Sequence, residues 1–334
     1  MRIFRANGGM MNNSSVNGNM INGNKWNGNE RDIWDGVQIK TQLDNGRAVI
    51  ELSLWTLSEQ MEGADCFPIY LWDAKEQLVF YCEHPAREED PCMIPLLHPH
   101  LWECDANPYL YRLEIYEREE KREVCLGSFA LPVRQLTYMS DNSYLFNGRR
   151  FEPKAVLYDG ICEQSAAGRE LFWGQIEHKL QQLVQMGADT LVLESLSGAS
   201  REEAFKIRDL CNKKGLLLWI REEGDMQDFR GGIEGRKLFT GGNLPTPHYY
   251  LQKARWSKEP FVYIHAGSME KKSDGCCTIT VYSNAKRVAL LLNGKVFEFQ
   301  EDGPKFVFQD VPVKSLPLML TAEAGDCSMS VACY

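Results

Sequence analysis

Along residues 34–130 the apolar positions recur at every second residue. The runs "VQIKTQL", "RAVIELSLW", "FPIYLWDA", "QLVFYCE" and "YLYRLEIYE" are short and rich in β-branched and aromatic residues, with turn formers such as Asp44-Asn45-Gly46 between them. This spacing predicts the antiparallel strands of a β-sandwich. A second block of the same kind closes the chain: "CTITVYSN", "RVALLLNGKVFEF", "PKFVFQDV", "PLMLTAEA" and "CSMSVACY". Its Asn293-Gly294 pair suits a two-residue hairpin turn, which needs positive φ at both positions.

Between the two blocks the period changes. "YLFNGRRF", from Tyr144 to Phe151, predicts a hairpin about Asn147-Gly148. "KAVLY", "TLVLE" and "LLLWI" are apolar throughout, as strands buried on both faces are. Helical stretches alternate with them. In "GQIEHKLQQLVQMG" a single stripe holds Ile176, Leu180, Leu183 and Val184, and Gly187 ends it. "SREEAFKIRDLCNKKG" opens with Ser200 and Glu203 at capping-box spacing, turns Ala204, Ile207 and Leu210 inward, and stops at Gly215. The alternation predicts a parallel sheet of three strands served by two helices.

The leader follows neither pattern. It repeats Asn-Gly-Asn at 17–19, 22–24 and 27–29 and offers little apolar surface, so residues 1–31 are expected to be disordered. A chain of 334 residues has room for two or three domains. Its net charge of −9 argues against a nucleic-acid partner. No apolar run approaches the ~18 residues of a membrane span, and the N-terminus lacks the apolar stretch of a signal peptide. The eleven cysteines are odd in number, scattered, and without a CxxC pair. They read as reduced thiols of a cytoplasmic protein rather than as a disulfide framework.

The order of these parts resembles glycoside hydrolase family 2, the β-galactosidase and β-glucuronidase family, over residues 32–334. "LWECDANPYLYRLEI" resembles the last strands of that family's immunoglobulin-like sandwich, and "YLFNGRRF" resembles its hairpin at the entrance to the barrel. "GADTLVLES" and "RDLCNKKGLLLWIRE" resemble its second and third barrel strands. "NLPTPHYYLQKARWSKEPFVYIH" resembles the barrel's exit segment, and "VYSNAKRVALLLNGK" the sandwich that follows. The resemblance implies a multidomain, mainly β chain. Its parts would be an immunoglobulin-like β-sandwich at 32–140, a truncated (β/α) TIM-barrel remnant at 141–258, and a C-terminal immunoglobulin-like β-sandwich at 259–334. Each barrel unit takes about 30 residues, so five further units would need ~150. Only "GDMQDFRGGIEGRKLFTGG" stands in their place.

That loss bears on chemistry. Retaining glycosidases use two carboxylates about 5–5.5 Å apart, one as acid/base and one as nucleophile. In family 2 the acid/base belongs to an Asn-Glu pair ending a later strand, and here the pair occurs only as Asn29-Glu30 in the leader. The family's Arg and His on strand two fall on Val192 and Ser195. Its His closing strand one falls near Asp159, and its Glu ending strand three near Arg221. By their place at strand ends, Glu194, Glu222 and Asp159 remain candidates for an altered pair, against a reading as solvated loop and capping residues.

Tyr249, Tyr250 and Trp256 are candidates for stacking on a sugar ring, against a reading as packing between the barrel remnant and the last sandwich. His98, His100, Glu103 and Cys104 have metal-like spacing. However, Pro99 holds the backbone extended, and no metal or other cofactor is expected. The acidic "REED" and "EREEKRE" runs read as exposed turns. The leading function is a degenerate family 2-like protein of carbohydrate metabolism, non-hydrolytic, binding a glycan or a partner. An active glycosidase, with its site altered or completed by a second chain, and a decayed remnant without a role are the alternatives. An open inner face of the barrel remnant further implies a homodimer or a partner chain, with Leu193, Leu218 and Ile220 near the contact, unless the Phe229–Phe239 connector and the Tyr249–Trp256 segment cover it.

Overall fold

The computed structural model describes residues 31–34, 37–54, 64–88, 90–120, 122–141, 143–158, 169–194, 201–221, 232–241, 243–268, 275–313 and 317–333. The expectation of a disordered leader therefore lies outside the described residues, apart from Arg31. Among the described residues, no helix is long and apolar enough to cross a membrane.

Eight strands build the first sandwich. β1 (Arg31–Trp34), β2 (Val37–Asp44), β3 (Arg47–Ser53) and β6 (Cys92–Leu97) form one antiparallel sheet in the order β1-β2-β3-β6. β4 (Cys66–Trp72), β5 (Leu78–Pro85), β7 (Leu110–Glu119) and β8 (Arg122–Pro132) form the other, in the order β5-β4-β7-β8. Alternation in the sequence becomes alternation in burial: Ile50, Leu52 and Ile94 from one sheet meet Ile69, Leu71 and Leu113 from the other in one core. The charged run at 117–123 falls at the tip of the β7–β8 hairpin, where Arg118 pairs with Glu83 of β5 and with Glu123. The run at 87–90 falls instead on the connection from β5 to the other sheet.

A small sheet of β9 (Leu136–Tyr138), β10 (Tyr144–Phe146) and β11 (Arg149–Phe151) follows, its last turn made by Asn147 and Gly148 at φ 50° and 77°. Next comes a parallel sheet. β12 (Ala155–Leu157), β13 (Thr190–Leu193) and β14 (Leu217–Ile220) are the three expected strands. A fourth, β15 (Ile233–Glu234), joins β12 on the side away from β13, giving the order β14-β13-β12-β15. α1 (Arg169–Met186) and α2 (Arg201–Lys214) connect the strands, and α3 (Pro247–Trp256) packs beside α1. Gly187 and Gly215 end their helices as expected. At φ 92° and 77° they let the N–H groups of Ala188 and Leu216 reach back to the Leu183 and Cys211 carbonyls.

The register shows which side of the parallel sheet each residue takes. Val156, Leu191, Leu193, Leu218, Ile220 and Ile233 all join the core beneath α1 and α2. Leu193, Leu218 and Ile220 thus face the helices, which corrects their expected place on an open inner face. Leu238, Phe239 and Tyr249, from the described part of the connector and from the aromatic segment, pack on that helix side too rather than on the opposite face. The opposite face is nonetheless buried except at its carboxyl end, where Leu157 and Trp219 are partly exposed. Ala155, Thr190, Val192 and Leu217 are at most 1% exposed within the single chain. Leu217 and Trp219 pack with Trp102, Tyr144 and Phe146 of the sandwich loop and small sheet.

The chain ends in a second sandwich. One sheet is β16 (Val262–His265), β17 (Cys276–Ser283) and β20 (Lys305–Pro312). The other, in the order β19-β18-β21-β22, is β18 (Arg287–Leu292), β19 (Lys295–Glu301), β21 (Leu318–Ala324) and β22 (Cys327–Cys333). Asn293 and Gly294, at φ 47° and 79°, make the expected hairpin turn.

Candidate functional site

Among the described residues, two places gather groups that can meet a ligand. The first is the carboxyl end of the parallel sheet, where a βα arrangement exposes the residue following each strand. Glu194 follows β13 there and is paired with Arg221, the residue after β14, at 2.7 Å. Both side chains are partly in water, 47% and 30% exposed, so the pair is worth at most about 1 kcal/mol. Its importance is chemical: among the described residues, the carboxylate's charged partner is a cation.

Glu234, which sequence reasoning did not single out, ends β15 and is paired with Lys237 at 3.0 Å. All of β12 separates β15 from β13, so their axes are two strand spacings, about 9.6 Å, apart. Glycine at 235 is required there, since a Cβ would stand 2.2 Å from the Tyr158 ring. Asp159 and Glu222 lie outside the described residues.

The three aromatic candidates have their faces turned to protein. Tyr249 is 3% exposed and donates its hydroxyl to the Gln182 carbonyl at 2.9 Å. Burial pushes that phenol up to about 12, so it stays protonated through the physiological range. Tyr250 stacks flat on Tyr263 of β16, and Trp256 is half-buried against the helix-side core. Among the described residues, no group of three or more His, Cys, Asp or Glu side chains can hold a metal ion. His100 instead stacks on Tyr109 at 4.5 Å.

The second place was not foreseen. A cleft of about 450 Å³ opens where the β2–β3 turn, the loop after β6 and the β10–β11 turn converge. Asp44, Asn45, Arg47, His98, Gln135 and Asn147 are its polar lining. Backbone conformation shapes it, for Asn45, Gly46, His98, Asn147 and Gly148 all have positive φ. Asparagine and histidine are among the side chains enriched in that region. The floor is cross-braced: Gln135 Oε1 accepts from the Leu43 N–H, while the Gln135 N–H donates to Asn147 Oδ1. Asn147 Nδ2 in turn donates to the Trp102 carbonyl. These bonds leave the Gln135 Nε2 hydrogens and the exposed Arg47 guanidinium without a partner among the described residues. The sequence traces of the cleft were its Asn-Gly turns and the His98-Pro99 pair, met there in another role.

No protein-family model matches the chain, and no curated protein matches it in sequence. Solved structures do match its fold. An FMN-binding β-glucuronidase from Faecalibacterium prausnitzii L2-6 superposes with a TM-score of 0.68 at 12% identity, over 89% of this chain and 73% of that one. β-Glucuronidase 3 of Bacteroides uniformis gives 0.65 at 13%, over 91% and 63%. A glycosyl hydrolase family 2 member from Bacteroides cellulosilyticus gives 0.58 at 13%, over 89% and 62%. The chain therefore spans less than two thirds of the length of the last two. At these identities the likeness is one of fold: a mainly β, multidomain architecture of the family 2 glycosidase kind.

Proposed function

We propose that this protein binds saccharide without hydrolysing it, as a carbohydrate-associated chain built on a shortened family 2 glycosidase fold. One observation carries the reading. The described carboxylates at the strand ends, Glu194 and Glu234, lie a whole strand apart, each neutralised by its own cation. A retaining pair needs two carboxyl groups about 5–5.5 Å apart with distinct proton affinities. The strand order supports the shortened fold, with domains at 32–140, 141–258 and 259–334. In a closed eight-stranded barrel the last strand pairs with the first, and β15 takes that side of β12 while α3 lies next to α1. The described strands of the unit then read as strands one, two, three and eight.

Hydrolysis is tested directly. The purified chain should leave aryl β-galactosides, β-glucuronides, β-glucosides and β-mannosides uncleaved above background. Turnover that disappears in Glu194→Gln would refute the non-hydrolytic reading and make Glu194 a catalytic residue.

Binding is assigned to the turn-lined cleft. Its volume suits one or two sugar rings, and its guanidinium, carboxylate and amide groups can bridge neighbouring hydroxyls. Because Arg47 is exposed and has no partner among the described residues, Arg47→Ala should leave the melting temperature unchanged. Titrated with methyl β-glycosides and β-linked disaccharides, this variant should bind about tenfold more weakly than wild type, the loss expected for one charged hydrogen bond. Equal affinities would place saccharide elsewhere.

A further inference from the structure

Two thiols meet inside the first sandwich. Cys82 lies on β5 and Cys92 on β6, which are edge strands of opposite sheets. Cys92 is 6% exposed, and Cys82 is half-buried against the same core. Their sulfurs are 3.4 Å apart. A disulfide bond is about 2.05 Å long, so closing the gap takes little more than 1 Å of side-chain movement. The edge they share is open to water: Leu78, Val79 and Tyr81 of β5 are each more than 40% exposed. Apolar edge strands of this kind fray and pair with other chains unless something holds them.

We propose that Cys82 and Cys92 are a dithiol pair that a hydroperoxide converts into an intersheet disulfide, clamping the two edges of the first sandwich together. The chemistry divides between the two thiols. The hydrogen bond between the two thiols lowers Cys82 below the usual thiol range, while the same bond and burial raise Cys92. The more exposed sulfur is thus the more easily deprotonated of the two, and the thiolate is the attacking form. Cys82 sulfur attacks the peroxide: an S–O bond forms, the O–O bond breaks, and hydroxide or alkoxide leaves and is protonated. The sulfur has given up two electrons and become a sulfenic acid. Cys92 sulfur then displaces the hydroxyl, which departs as water with the Cys92 proton. Two thiols and one hydroperoxide give one disulfide, water, and the alcohol or second water.

The full-length protein is treated with one equivalent of hydrogen peroxide, its remaining thiols are alkylated, and it is digested without reductant for mass spectrometry. The expected product is a peptide pair joined through Cys82 and Cys92, lighter by two hydrogens and separated by dithiothreitol. The first thermal transition should rise by about 5 °C on oxidation and return on reduction. In Cys92→Ser the sulfenic acid on Cys82 should persist and be trapped by dimedone, whereas Cys82→Ser should give no adduct at Cys92. Two free thiols after treatment, a sulfinic acid at Cys82, or a crosslink between chains would each overturn the proposal.

Discussion

Replacing Trp102 with alanine should destabilise the fold by about 3–5 kcal/mol, measured as the shift in a urea unfolding curve. The side chain is fully buried and lies where three parts of the molecule meet. Its indole N–H donates to the Asn212 carbonyl at the end of α2, at 3.0 Å. The Arg134 guanidinium sits 4.4 Å above its ring, and Phe146 of β10 meets its edge at 6.0 Å. Alanine would remove the packing, leave the Asn212 carbonyl with only the longer bond from the Gly215 N–H at 3.3 Å, and strip a buried cation of its ring. Trp102→Phe keeps most of the volume and should cost about 1–2 kcal/mol, chiefly the lost hydrogen bond. A loss below 1 kcal/mol for the alanine variant would mean that the sandwich and the parallel sheet are not coupled through this residue.

Gly215→Ala should be nearly as damaging, at about 3 kcal/mol or more. Two costs add. The residue sits at φ 77°, where an L side chain costs about 1–2 kcal/mol. Its new Cβ would also stand 2.7 Å from the backbone of Cys104 and Asp105, a contact that no rotamer change relieves. Gly148 isolates the first cost, for it has the same φ of 77° but nothing within 4 Å of its would-be Cβ. Gly148→Ala should therefore lose only the conformational part. Equal losses in the two variants, measured by the same unfolding curves, would show that the loop before β7 does not press on the end of α2.

Most of the architecture could be read from periodicity and turn chemistry, because both are local. The two sandwiches, the three Asn-Gly turns, and the stops at Gly187 and Gly215 each depend on a few neighbouring residues, and the structure contains them all. What escaped depends on distant partners. β15 is two residues long, too short for any period, and exists as a strand only because β12 is beside it. The faces of "TLVLE" and "LLLWI" could not be assigned, since a strand apolar on both sides carries no alternation to orient it. Leu193 and Ile220 were accordingly expected on the wrong side. The cleft escaped for the same reason: its lining comes from three turns widely separated in sequence, and Gln135 gave no sign of bracing it. Of the three carboxylate candidates, Glu194 alone lies among the described residues, and its cation partner Arg221 was met in the sequence as a departure from a family motif rather than as a neighbour.

The pairing of Val156 with Ile233 also sets an order of events as the chain leaves the ribosome. Every strand of the first sandwich has emerged by Pro132, so that unit can form while synthesis continues. The parallel sheet cannot be completed in this way. Its inner strand β12 waits for a partner that lies beyond both connecting helices, and loop-closure entropy must be met before that long-range contact stabilises anything. During this interval one edge of β12 stands unpaired, and the nascent protein is most exposed to wrong association then rather than after release.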